Sequence, residues 1–474
     1  MKDHKVVLLL ESMDKLLIRK LKKFLKAEYP GFSEKSVSLG LYILEYYPAF
    51  ENEYLGESFL LERLGLHAGK PNAKHELTRC LSDLLAAIEH FIAIESLETN
   101  TYIKGSFIAN FYYQSQNTRG LSKAIKQNRK LIEKENKKES ANFLYSYINN
   151  KLAHNFEKQK KNLPLARQFI EEATSDLNIY FMIQLFQAAI GYTQSTRKAP
   201  SLEHYFLLPA VIDYVETLEK EKPPLLILWK LAYQLTQNPH SSKTYDILKT
   251  QLLKHFEEIH AIDANSFITI LSNALRFQIQ KGRKRYIEEK FNLYQIEIRE
   301  GWLIVNGIMG YNTFNNIVVA SLALDKIEYA QSFIRAHGNY ILPDLREPIS
   351  IYNEARIAFA QGHFKHVLQL TQRIKYFDDS VKLGIKRLQC MCYYELNDYD
   401  GLGNSFDAFK MAIHRIQNLD KKVLEVNSQF LKIVALILRN SDEKQTFDAI
   451  YTIIQKTPFL PELEWVKSKM EKTK

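Results

Sequence analysis

The chain has 474 residues, 46% of them apolar and 25% charged, a composition that excludes disorder for most of its length. Glycine (17) and proline (13) are too few for the turn every ~8–12 residues of an all-β sandwich or propeller, and no charge-free apolar run reaches the ~18–20 residues of a membrane span. Lys plus Arg (64) against Asp plus Glu (54) gives a net charge of +10, which permits an acidic partner, an anionic surface or nucleic acid without demanding one.

At the N-terminus the apolar run Val6–Leu10 is shorter than the ~7–15 residues of a signal-peptide core. The three cysteines, Cys80, Cys390 and Cys392, are too sparse for a disulfide framework. Cys390 and Cys392 stand two apart on a helix and do not face one another, so they read as small buried hydrophobes. Both features point to a reducing, cytoplasmic location.

Helical periodicity dominates throughout. Leu16, Leu17, Leu21, Phe24 and Leu25 recur at three- and four-residue steps, and Tyr29-Pro30-Gly31 stops that helix. Ser33 opens a second helix ending near Tyr47-Pro48. Glu57 to Leu64 forms a third, closed by Gly65. From Pro71 or Asn72 a long fourth helix carries Leu77, Leu81, Leu84, Leu85, Ile88, Phe91, Ile92 and Ile94 in a stripe wide enough for burial on more than one side. These helices make an N-terminal module over residues 1–100. Residues 101–310 continue as less regular helical hairpins. The stretch from Asn128 to Glu139 is charge-rich, and Pro223-Pro224 marks a firm boundary. Ala264 to Ile279 has Phe267, Ile268, Leu271 and Leu275 on one side, and Tyr286, Phe291 and Tyr294 belong to its returning partner.

A repeat shows itself over the last third. Three turns lead into helices anchored at Ile327, Phe364 and Tyr399, spaced by 364 − 327 = 37 and 399 − 364 = 35 residues. Upstream stand Val318 with Ser321, Ala355 with Ala358, and Cys390 with Tyr393, positions where a neighbouring helix would press. Two helices and two tight turns fill such a period, and stacking buries what neither helix can bury alone.

These units resemble tetratricopeptide repeats, through Ala355, Ala358, Gly362 and Phe364 in one and Ala330, Phe333, Ala336 and Pro343 in the one before. The pattern departs at Val367 and Lys386. The segments LKKFLKAEYPGF, YYPAF, ELTRCLSDLLAAIEHFIAIE and LPELEWVKSKME also resemble a group of cytoplasmic helical proteins of the Bacteroidota. The resemblance implies an all-α fold: the N-terminal module followed by an α-solenoid, with tetratricopeptide-like repeats and capping helices over 311–474.

No GxGxxG, GxxxxGK[ST], HExxH, GxSxG or DxDxDG pattern occurs, so no phosphate cradle, zinc site, nucleophile elbow or calcium loop is signalled. His363 and His366 lack partners at ligand spacing. No catalytic residue, metal or cofactor is expected. Two basic clusters, Lys15 to Lys26 and Lys281, Arg283, Lys284 with Arg285, read first as solvated faces and alternatively as phosphate contacts. A winged-helix reader at the N-terminus is disfavoured, because no strand pair follows the helices.

If the first helix of each hairpin lines a concave groove, Asn315, Tyr352, Arg356, Arg387 and Tyr394 project into it. Tyr and Arg dominate binding hot spots, and Arg pairs with carboxylates. The expected function is a non-catalytic scaffold holding a peptide, acidic tail or protein partner. The alternative is a nucleic-acid-associated regulator using the two basic clusters.

Overall fold

The computed structural model describes residues 4–27, 32–50, 53–66, 72–135, 139–196, 198–201, 203–217, 223–279, 284–305, 307–374, 378–416, 419–439, 443–457, 460 and 462–471. Among them are 23 α-helices and one two-stranded ribbon, and the protein is all-α. None of the helices is long and apolar enough to cross a membrane. The chain divides into two compact units, residues 1–136 with 141–180, and residues 137–140 with 181–474.

The first unit begins with α1 (Lys5–Glu11), α2 (Lys15–Lys26), α3 (Glu34–Ile43), α4 (Glu57–Arg63) and α5 (Ala73–Thr99). Asp14 and Ser33 cap α2 and α3 by accepting from the amides of Leu17 and Ser36. Residues from Val6 to Phe91 share one apolar core, in which α5 buries Leu77, Leu81, Leu84, Ile88 and Phe91. On α2 the buried residues are Ile18, Leu21 and Leu25, whereas Leu16 is 53% exposed. Positions 18, 21 and 25 follow the i, i+3, i+7 stripe, and Leu16 falls on the opposite side of the helix. The unit continues with α6 (Thr101–Gln114), α7 (Thr118–Lys134), α8 (Ser140–Gln159) and the long α9 (Leu163–Thr196), which leads into the second unit.

The second unit holds α10 (Leu208–Thr217), α11 (Pro224–Gln237), α12 (Ser242–Lys254), α13 (Ala261–Ile279) and α14 (Lys284–Arg299). Pro224 takes the first position of α11, where its missing N–H is no loss. The ribbon β1 (Ile304–Val305) and β2 (Ile308–Met309) follows, antiparallel with Ile304 opposite Met309. Helical periodicity does not reveal this ribbon, but Asn306-Gly307 between two apolar pairs is a hairpin signal in the sequence. Then come α15 (Tyr311–Ala323), α16 (Ile327–His337), α17 (Pro343–Ala360), α18 (Phe364–Gln372), α19 (Asp379–Glu395), α20 (Tyr399–Arg415), α21 (Lys421–Arg439), α22 (Glu443–Lys456) and α23 (Leu463–Glu471). One apolar core runs from Phe291 to Met470.

Five of the helix–helix turns are the same turn. Each has one residue in the left-handed region: Gln116 (φ 57°) and Lys161 (62°) in the first unit, and Asp325 (57°), Gly362 (78°) and Asn397 (55°) in the second. The amide of the next residue donates to the carbonyl five positions earlier, as in Asn117 to Tyr112, Lys326 to Ser321, and His363 to Ala358, each at 2.9 Å. These bonds satisfy carbonyls the helix end leaves orphaned. Five residues after the left-handed position stands a buried side chain: Leu121, Ala166, Ala330, Val367 and Leu402. Of the helix-opening residues expected to anchor the hairpins, Ile327 and Phe364 pack half-buried against the same core, whereas Tyr399 is 63% exposed. In two hairpins a tyrosine ring closes on a glycine: a Cβ at Gly120 would lie 2.8 Å from Tyr112, and one at Gly401 2.5 Å from Tyr393.

The second unit also buries a carboxyl. Asp263, in the first turn of α13, is 4% exposed and accepts from Trp229 Nε1 at 3.2 Å and Gln187 Nε2 at 3.5 Å. Burial raises its pKa from 3.8 to about 6, against the opposing pull of the Trp229 hydrogen bond. Between these two values the folded chain holds a proton that the unfolded chain has released. Folding stability therefore falls as pH rises through that window, by on the order of 2–3 kcal/mol once Asp263 ionises. Asp263→Asn keeps the acceptor for Trp229 and removes the titration. Its stability relative to wild type, read from urea unfolding midpoints, is expected to improve progressively from pH 4 to pH 7.5. A difference that stays constant across this range would contradict the assignment.

Candidate interaction surface

The five residues expected to line a groove come from three first helices of successive hairpins. Asn315 lies on α15, Tyr352 and Arg356 on α17, and Arg387 and Tyr394 on α19. Asn315 Oδ1 accepts from Asn353 Nδ2 at 2.6 Å, a bond that ties α15 to α17. Asn353 is fully buried, and its Nδ2 also donates to Ile349 O at 2.9 Å. Tyr352 is only 3% exposed. Its hydroxyl accepts from Arg356 Nη2, and the guanidinium carbon stands 4.6 Å from its ring centroid. That partner is what allows the phenol to be buried, since an unpaired buried hydroxyl is costly. The tyrosine reaches α19 at Gly384, the one residue type that leaves room for it: a Cβ there would stand 2.1 Å from Oη.

Arg387 and Tyr394 are met by another part of the chain. Arg387 Nη1 donates to Asn427 Oδ1 on α21 at 2.6 Å, and its Nε stands 3.6 Å from Glu462 Oε1. Tyr394 packs edge-on against Trp465 of α23, with ring centroids 5.5 Å apart. Trp465 Nε1 donates to Glu395 Oε1 at 2.7 Å. Lys469 pairs with the same carboxylate and places its ammonium 5.6 Å from the Tyr394 ring and 5.7 Å from the Trp465 ring. Leu460, Val466 and Met470 are buried in the same core. The row is therefore not an open groove. Its α19 end is covered by residues 460 and 462–471, which present an acidic residue to Arg387 and an indole to Tyr394. Glu395, Asn427, Glu462, Trp465 and Lys469 were not legible as site residues. The signal for Glu462, Trp465 and Lys469 is the mixture of acid, Trp and Lys in LPELEWVKSKME, opposite a row rich in Arg and Tyr; Glu395 and Asn427 carry none.

The remaining sequence candidates fall elsewhere. His363 and His366 are exposed at the start of α18. Among the described residues no group of three or more His, Cys, Asp or Glu is placed to hold a metal ion. Burial pushes the Cys390 thiol up to about 11 and the Cys392 thiol up to about 12, so neither is a thiolate at neutral pH. On α2, Lys20 pairs with Glu95, while Lys15, Arg19, Lys23 and Lys26 face solvent. Of the second basic cluster, Lys281 and Arg283 lie outside the described residues, as does the Lys284 side chain, and Arg285 pairs with Asp246 at 3.3 Å. No known protein family, curated protein or solved structure matches the chain.

The Tyr352–Gly384 contact is the tightest point of the row. Gly384→Ala is expected to destabilise by about 1–3 kcal/mol through overpacking, and Tyr352→Phe by about 1 kcal/mol through the lost hydrogen bond. Removing the hydroxyl leaves the new methyl 3.1 Å from Cζ, so the double variant should lose less than the sum of the two. Urea unfolding of the four proteins reads this coupling, and additive losses would place the hydroxyl away from Gly384.

Proposed function

We propose that this protein is a non-catalytic cytoplasmic interaction scaffold, an α-solenoid with tetratricopeptide-like hairpins over 311–474. In this reading a partner lays an acidic, aromatic-bearing segment along the row of Asn315, Tyr352, Arg356, Arg387 and Tyr394. The observation that supports it is the manner in which residues 460 and 462–471 lie on the α19 end of that row. A carboxylate faces Arg387, an indole faces Tyr394, and Trp465 and Lys469 share Glu395. These are the side-chain types of binding hot spots, and here they meet a segment belonging to the same chain.

A segment in cis has a high effective concentration, so a partner in trans binds only when it displaces that segment or when the segment is loosened. Affinity would come from burying Trp465-like and Val466-like side chains. Selectivity would come from the charge pairing, because an Arg left facing no carboxylate is penalised.

The test uses a fluorescent peptide of sequence LPELEWVKSKME and the full-length chain. Trp465→Ala loosens the resident segment, and the peptide should then bind at least tenfold more tightly than to wild type. Adding Arg387→Glu to Trp465→Ala should abolish that gain. If the peptide binds neither wild type nor Trp465→Ala, the row does not take such segments and the reading fails.

A further inference from the structure

The first unit carries a charged surface on α7. Arg119, Lys123, Lys126 and Lys130 occur on α7 at steps of four, three and four residues. At 3.6 residues per turn they fall within about 60° of arc, and at 1.5 Å per residue they form a row of about 16 Å. All four are exposed, and none has an ion-pair partner among the described residues. They line one wall of an open trough of about 610 Å³, with Thr118, Ser122 and Gln127 between them. The other side is Phe156 of α8 and Lys160 of the turn after it. The Lys160 ammonium lies 3.8 Å over the buried Phe156 ring and 3.5 Å from Glu157, which is outside the lining. The lining thus holds five cations and no acid.

A solvated helix face normally intersperses acids among its cations and keeps cations out of its first turn, where the helix dipole is positive. This row does neither: Arg119 stands in the first turn of α7, and Glu133, the helix's acid, pairs with Arg129 outside the row. The trough also lacks what other anionic partners require. The only apolar side chain in its lining, Phe156, is buried and cannot enter a bilayer. No exposed ring offers an acidic peptide its anchor. What remains is a regular line of cations with hydroxyl and amide donors between them, the chemistry that holds phosphates and sugars without reading bases. One row, rather than two, matches one strand.

The geometry points to the α7–α8 trough as a binding surface for the sugar–phosphate backbone of single-stranded nucleic acid, without sequence preference. It is distinct from the α2 and 281–285 clusters, and it stands independently of the groove proposed above.

The test is fluorescence anisotropy of the full-length chain with a labelled 20-nucleotide single strand of mixed sequence. Five phosphate contacts on a single strand give a slope of about −3.5 in log K against log salt, roughly a hundredfold loss of affinity between 50 and 200 mM. Lys123→Gln/Lys126→Gln/Lys130→Gln should reduce the slope by about 2 and weaken binding at 50 mM salt, with an unchanged circular dichroism spectrum and melting temperature. Arg19→Gln/Lys23→Gln/Lys26→Gln, on α2, should bind as wild type. The proposal is overturned if no binding is seen at 50 mM salt, or if the α2 variant loses as much as the α7 variant. It is equally overturned if poly-glutamate or phosphatidylserine vesicles compete better than unlabelled strand.

Discussion

The helices of this protein are organised by a turn in which one residue adopts the left-handed conformation and the next amide reaches back five positions. A short amphipathic helix such as α18 (9 residues) or α16 (11 residues) is not stable alone in water, so each must find a partner at once. The recurrent turn supplies one by folding the next helix back antiparallel in fixed register. It sets a buried side chain, such as Ala330 or Val367, five residues past the left-handed position. The conformation disfavours L-residues by about 1–2 kcal/mol, yet only Gly362 among the five is glycine. Asp325 and Asn397 are residue types that tolerate it through local hydrogen bonding. Gln116 and Lys161 have no such help, and their strain is borne by the hairpin's apolar contacts and by the carbonyls the turn satisfies.

This chemistry explains which hairpins were legible in the sequence. The last-third repeat was visible because its turns use Asp, Gly and Asn, conventional turn residues, at intervals near 36. The same turn at Gln116 and Lys161 was hidden, because neither residue signals a turn. A comparison of whole segments would have found the first of them: YYQSQNTRGL at 112–121 and YYELNDYDGL at 393–402 share the tyrosine pair, the capping Asn or Asp, the glycine and the buried leucine in register. Each helix-opening residue is conspicuous in sequence, and two of the three pack in part, while the small or aliphatic residue one turn later is the fully buried one. On α2 the basic residues drew the eye to Leu16 and away from Ile18, although only Ile18 keeps the three–four spacing with Leu21 and Leu25.

The site divides along the same line between local and distant information. The expectation that Asn315, Tyr352, Arg356, Arg387 and Tyr394 share one face follows from helical period and repeat length, both readable from the chain. That residues 460 and 462–471 meet Arg387 and Tyr394 does not, because no local rule ties α19 to a helix some seventy residues later. The closing contacts also mix forces that composition cannot apportion. Val466 is withdrawn wholly from water, an effect of the order of 2 kcal/mol, while Glu395 is shared by an indole N–H and an ammonium. The apolar part holds the segment and the polar part fixes its register.

The α15–α17–α19 row and the α7 row follow opposite electrostatic rules. Along the α15–α17–α19 row Arg356 has a phenol and Arg387 an amide and a carboxylate, and Lys469 of the covering segment has a carboxylate between two rings. Such charges are conspicuous in sequence because they interrupt an apolar pattern. On α7 the cations occupy the polar face that any amphipathic helix needs, so they look ordinary one at a time. Their distinction lies in what is missing around them, carboxylates, and a missing neighbour becomes visible only once α8 has been placed beside them. Paired charge inside the hairpin stack specifies how the chain folds on itself. Unpaired charge held in a trough keeps its field for something outside it.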